Sequence, residues 1–173
     1  MNVASLFHSI TTFIFDMDGV LTDGTVWAFA NGEQVRRMNI KDGFALQLAV
    51  KKKYRVVVIS GSESEGAALR LQKLGIRDIF MNVSIKSQKL EEYMAENGLR
   101  KEEILFMGDD VPDIGVGAMA GICCAPSDAA SDLRKHAAYI SPYAGGNGCV
   151  RDIIEKVLKV RGHWETEANV TSA

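Results

Sequence analysis

Two aspartates stand two residues apart in the run Asp16-Met17-Asp18-Gly19-Val20, directly after the apolar stretch Thr12–Phe15. Side chains alternate along an extended chain, so residues two apart face the same way. Asp16 and Asp18 can therefore serve one site at the end of a strand, and Gly19 permits a tight exit turn. Alone, this motif is only moderately specific, because two aspartates also suit a solvated loop. A second acidic cluster, Gly108-Asp109-Asp110-Val111-Pro112-Asp113, follows the apolar run ending at Met107. Its plainer reading is a helix start, where Asp caps and Pro is tolerated. If both clusters converge, however, several carboxylates crowd together, and like charges that close are costly unless a cation sits among them. An all-oxygen donor set suits Mg2+. Ser60-Gly61 offers a hydroxyl and backbone N–H groups after Arg55–Ile59, and Lys86 offers an ammonium after Asp78–Met81. Each is unremarkable alone. Together, carboxylates, donors and one ammonium make a site for a phosphoryl group with Mg2+.

The elements that must position these groups are legible from periodicity. Strands are expected at Thr12–Asp16, Arg55–Ser60, Asp78–Met81, Glu103–Met107 and Ile122–Ala125, with an edge strand at Ala138–Ile140. Helices are expected at Asp42–Lys52 with Asp42 as N-cap, and from a Ser62-x-x-Glu65 capping box to Gly75. Further helices are expected at Lys86–Asn97 closed by Gly98, and at Val111–Met119, Asp128–His136 and Asn147–Arg161. Alternating strands and helices predict an α/β fold: a doubly wound, Rossmann-like parallel sheet, with ligands at the carboxyl ends of its strands. Gly24–Met38 breaks the alternation with two strand-like arms around Asn31-Gly32, a two-residue hairpin signal. A bare hairpin is marginal in water, so Trp27, Phe29 and Val35 are expected to pack on something, such as another subunit. This flap, about residues 24–39, leaves no room for a cap domain before Ser60.

The 173 residues, 47% hydrophobic and 24% charged, fit one soluble domain, 1–173, whose polar tail, 165–173, is expected to be mobile. A net charge of −2 advertises neither nucleic acid nor an anionic membrane surface. Cys123, Cys124 and Cys149 form no metal-binding spacing and read as buried thiols of a reducing, cytoplasmic setting. The first residues lack the basic start of a signal peptide, and no apolar run approaches the roughly 20 residues of a membrane helix.

The four motifs, in this order, resemble the haloacid dehalogenase-like superfamily of aspartate-nucleophile phosphatases over residues 10–164. The likeness is closer to its small capless branch, the 3-deoxy-D-manno-octulosonate 8-phosphate (KDO 8-phosphate) phosphatases. Residues 15–24, the hairpin, 39–43, 59–61, Lys86, 107–113 and 145–152 carry it. The resemblance implies Asp16 as nucleophile and Asp18 as acid/base. It implies Mg2+ held by Asp16, the Asp18 backbone carbonyl and Asp109, with Asp110 and Asp113 beside the metal. It further implies phosphate binding by Ser60, Gly61 and Lys86, and contacts to a small phosphorylated sugar acid from Asn39, Ile40, Lys41, Asp42, Gly43, Ser62 and Arg70. A homotetramer joined through the hairpins and a place in lipopolysaccharide precursor synthesis are implied as well. Many relatives carry a larger, often charged residue where this chain has Ser62, which leaves the sugar open: phosphatases of nine-carbon keto-sugar-acid 9-phosphates are near relatives. A phosphomutase would need a cap to exclude water. A silent oligomerising domain would be expected to lack Asp16, Asp18, Lys86 or Asp109, all present here. A phospho-accepting receiver domain would carry its acceptor on the third strand.

Overall fold

The structure, a computed structural model, describes residues 3–164. The expected tail, 165–173, lies outside the described residues. A six-stranded parallel sheet runs in the order β5-β4-β1-β6-β7-β8. Its strands are β1 (Thr12–Phe15), β4 (Arg55–Ile59), β5 (Asp78–Phe80), β6 (Ile104–Met107), β7 (Ile122–Ala125) and β8 (Tyr139–Ile140). The helices are α1 (Val3–Phe7), α2 (Ile40–Lys51), α3 (Glu65–Lys73), α4 (Lys86–Asn97), α5 (Ile114–Met119), α6 (Ser131–His136) and α7 (Cys149–Val160).

Strands β1, β6 and β7 are buried along their whole length, as expected where helices cover both faces. Alternation along β1 divides the core. Phe13 and Phe15 join the layer of α1, α2, α3 and α7, and Ile14 joins the layer of α4, α5 and α6. Helix α7 buries Val150, Ile153, Ile154, Val157 and Leu158, each stabilising by roughly 1.5–3 kcal/mol. Because β1 pairs with β4 on one side and β6 on the other, the connections reverse direction there. That reversal opens a crevice at the carboxyl end of β1, where such sheets bind ligands.

Helix starts differ from the sequence expectation. Asn39, not Asp42, caps α2, accepting from the backbone N–H of Lys41 and Asp42 at 2.8 and 3.3 Å. Ser64, not Ser62, caps α3, accepting from the Ala67 N–H. In each case a tertiary partner claims the displaced residue, as the site geometry shows. The 111–119 segment divides into a 3-10 turn, Val111–Asp113, and α5. Helix α1 was not foreseen, because five residues carry too little periodicity. Gly98, by contrast, closes α4 with φ +62° as expected.

The hairpin pairs β2 (Trp27–Ala28) with β3 (Gln34–Val35), Trp27 opposite Val35. Its turn is not the two-residue form. Gly32 N–H donates to the Phe29 carbonyl and Phe29 N–H to the Glu33 carbonyl, both at 2.9 Å. Ala30 and Asn31 thus centre the turn, and Gly32 follows at φ +86° as the bulge residue of a three-residue loop. Trp27 is 69% exposed, and Val26, Phe29 and Val35 are also exposed.

Candidate active site

Asp16 continues β1 by one residue, its N–H donating to the Met107 carbonyl at 3.0 Å. Asp16 and Asp18 are both extended, with ψ of 162° and 125°, so their carboxylates face one cavity of about 680 Å3. Ser60, Gly61, Ser62, Lys86, Asp109, Asp110 and Asp113 line the same cavity. The chain leaves β1 through a wide turn, Met17–Leu21, closed by Thr22 N–H donating to the Met17 carbonyl. Gly19 is required there: a Cβ on it would lie 2.0 Å from an oxygen of Asp109.

One carboxylate oxygen from each of Asp16, Asp109 and Asp113 lies within 4.8 Å of the others. Lys86, the first residue of α4, reaches into this cluster with Nζ 2.8 Å from Asp16 and 2.8 Å from Asp113. Burial, then the Asp113 charge, raises the Asp16 carboxyl to about 6 against the opposing pull of Lys86. Burial and the neighbouring Asp16, Asp113 and Asp110 raise Asp109 to about 8. Burial works against charge on Lys86, but Asp16 and Asp113 outweigh it and hold the ammonium above its usual value. One ammonium among three carboxylates leaves negative charge that a divalent cation would complete. The all-oxygen set fits Mg2+. Asp16, Asp109 and Asp113 are the carboxylates whose oxygens converge where such a cation would sit.

The two aspartates whose relation to the metal the sequence left open are now distinguished. Asp113 is buried in the cluster and accepts the Asp109 N–H at 3.0 Å. Asp110 is exposed and caps the 3-10 turn by accepting the Val111 N–H.

Asp18 is held by groups that sequence reasoning missed. Arg36 Nε donates to Oδ1 at 2.7 Å and Nη2 to Oδ2 at 3.3 Å. Thr22 Oγ1 donates to Oδ1 at 3.4 Å. Ser62 Oγ donates to Oδ2 at 2.7 Å, which is why Ser62 does not cap α3. The Arg36 side chain is 4% exposed, and its Nη1 is the one buried side-chain polar atom among the described residues with no hydrogen-bond partner. The available signal was a basic pair, Arg36-Arg37, in the returning hairpin arm, residues 33–38. Ser60 is buried, its Oγ 3.1 Å from Ser62 Oγ.

The expected sugar contacts do not gather at this cavity, apart from Ser62. Asn39, Ile40 and Lys41 border a separate cavity of about 1060 Å3 against α7. Gly43 packs on the Arg70 guanidinium, and Arg70 lines a groove of about 920 Å3 between the hairpin and α3. Asp42 is only 2% exposed. Both its oxygens are taken, one by the Arg151 N–H at 2.7 Å and the other by the Gly148 N–H at 3.2 Å.

An aspartate pair after the central strand, an ammonium from α4 and a second acidic cluster after β6, with no cap domain, define a capless hydrolase of the haloacid dehalogenase type. No family model matches the sequence. The 3-deoxy-D-manno-octulosonate 8-phosphate phosphatase of Escherichia coli K12 is 30% identical over 155 residues, 90% of this chain and 82% of that protein. The crystal structure of the Yersinia pestis phosphatase of that name superposes with a TM-score of 0.90 at 28% identity, covering 93% of this chain and 87% of its own. The Moraxella catarrhalis phosphatase, solved with magnesium, phosphate and a KDO molecule, gives 0.88 at 27% identity over 91% of each chain. The chain belongs to the KDO 8-phosphate phosphatase family and is a phosphoric monoester hydrolase.

Proposed function

We propose that the protein is a Mg2+-dependent phosphatase that releases phosphate from KDO 8-phosphate through an aspartyl-phosphate on Asp16. The observation that carries this reading is the Asp16 carboxylate seated between Lys86 and the Asp109–Asp113 pair at the end of β1. An Asp16 oxygen attacks phosphorus, and the bond from phosphorus to the sugar oxygen breaks. Asp18 gives its proton to the departing alkoxide. Asp18 then takes a proton from water as that water attacks phosphorus, releasing phosphate and restoring Asp16. Lys86, Ser60 and the Gly61 backbone hold the phosphoryl oxygens. Bound Mg2+ would supply charge neutralisation between two anions that must meet.

A sugar acid suits the surroundings, because Arg70 lines the groove between the hairpin and α3 and a guanidinium pairs well with a carboxylate. Arg70→Ala is expected to raise KM for KDO 8-phosphate by roughly 10–100-fold, the worth of a charged hydrogen bond. KM for para-nitrophenyl phosphate, which has no carboxylate, is expected to hold. An equal rise for both substrates would remove Arg70 from sugar recognition.

We further propose a cytoplasmic homotetramer in which the exposed apolar hairpin faces meet. No described helix is long and apolar enough to cross a membrane. Trp27→Glu should then shift the sedimentation coefficient to that of a smaller species, whereas unchanged sedimentation would refute assembly through the hairpin.

A further inference from the structure

Asp42 and the Gly145–Gly148 loop take no part in the chemistry above, yet Asp42 bonds to the end of that loop and the loop meets the turn that carries Asp18. Helix α7 has no side-chain cap of its own: its N-cap position is Gly148, at φ +111°. Two N–H groups at its start, those of Gly148 and Arg151, donate instead to Asp42, a buried carboxylate from the first turn of α2. Such a placement suits the positive end of a helix. Asn39 adds a second tie, its Nδ2 donating to the Gly146 carbonyl at 3.3 Å.

From there the loop bears on the turn. Gly146 N–H donates to the Val20 carbonyl at 2.9 Å. The approach is so close that a Cβ on Gly145 would stand 1.9 Å from the Gly19 carbonyl oxygen and 3.0 Å from that of Thr22. Gly19 and Thr22 flank the Asp18 carboxylate: the Gly19 N–H donates to Thr22 Oγ1, which in turn donates to Asp18.

We propose that Asp42 is a positioning residue, fastening the Gly145–Gly148 loop to α2 so that the loop holds the Asp18 turn in register with Asp16. This rests on the phosphatase reading above. It replaces a sugar contact with a mechanical role, since Asp42 has neither exposed surface nor an uncommitted oxygen. The same turn carries the Asp18 backbone carbonyl, so its displacement disturbs both the acid/base and the seat for Mg2+.

The test compares Asp42→Ala, Asp42→Asn and Gly145→Ala with the wild type. KDO 8-phosphate and para-nitrophenyl phosphate are both assayed, well below each variant's melting temperature. Gly145→Ala leaves the Asp42 bonds in place and pushes on the turn directly. Asp42→Asn keeps the shape and serves where the alanine variant does not fold. The expected result is kcat lowered on both substrates by about 10–100-fold, the scale of a displacement near 1 Å. KM should be unchanged, and the Mg2+ concentration for half-maximal activity should rise. A rise in KM for the sugar acid with kcat intact would make Asp42 a sugar contact and overturn the proposal. Variants with wild-type kcat and Mg2+ response would overturn it as well. If the wild type hydrolyses neither phosphate, the functional reading fails and this inference falls with it. If the wild type is active and the variants match it, only the positioning role is lost.

Discussion

Asp16→Asn is expected to lower phosphate release on the order of 10^5-fold, as removal of a covalent nucleophile does, while the fold survives. An amide oxygen is a poor nucleophile and cannot carry the phosphoryl group as an acyl phosphate that water then cleaves. The fold should tolerate the change because Asn has the same shape. Lys86 keeps its 2.8 Å pairing with Asp113, and one of three crowded carboxylates loses its charge. The variant should therefore melt at or above the wild-type temperature without metal, which separates lost chemistry from lost structure. Turnover above about one percent of wild type would remove Asp16 as the nucleophile.

Withdrawing divalent cations is the second large effect expected. EDTA should stop turnover and added Mg2+ restore it. The same cluster predicts how the metal-free protein responds to pH. Asp16 and Asp109 are held up at about 6 and about 8 against a usual value of 3.8, burial being the main cause for both. The folded chain therefore keeps protons that the unfolded chain releases near 3.8. The stability this confers is complete below that value and is lost as pH rises through about 6 and then about 8. In EDTA the melting temperature should fall by several degrees as pH rises from about 5 to about 9. Mg2+ should reverse the loss increasingly toward high pH, because the cation takes the place of the protons. A pH-independent melting curve in EDTA, or no gain from Mg2+ at high pH, would contradict the carboxylate cluster as a metal seat.

The parts of this site that depend on a single strand end were legible in the sequence. Asp16 and Asp18 share a direction because extended residues alternate, and a parallel sheet covered by helices follows from alternating strands and helices. Lys86 was placed by the boundary between Phe80 and α4. What was not legible depends on distant partners. Local pattern pointed to Ser62 and Asp42 as helix caps, whereas Ser64 and Asn39 cap α3 and α2. Asp18 decides the first choice by claiming the Ser62 hydroxyl, and the start of α7 decides the second by claiming Asp42. Arg36 could not be assigned because its contact with Asp18 spans 18 positions through a hairpin whose path the sequence does not fix. Asp110 and Asp113 look alike in sequence. They separate only when the 3-10 turn directs Asp110 outward and Asp113 toward Lys86.

The most direct test of the central claim is phosphate release with Mg2+ across KDO 8-phosphate, nine-carbon keto-sugar-acid 9-phosphates and simple hexose phosphates. Strong preference for KDO 8-phosphate is the predicted result. Preference for a nine-carbon acid would keep Asp16, Asp18 and Lys86 in their roles while contradicting the proposed substrate. No release from any of them, with Asp16 intact and Mg2+ present, would contradict the account as a whole.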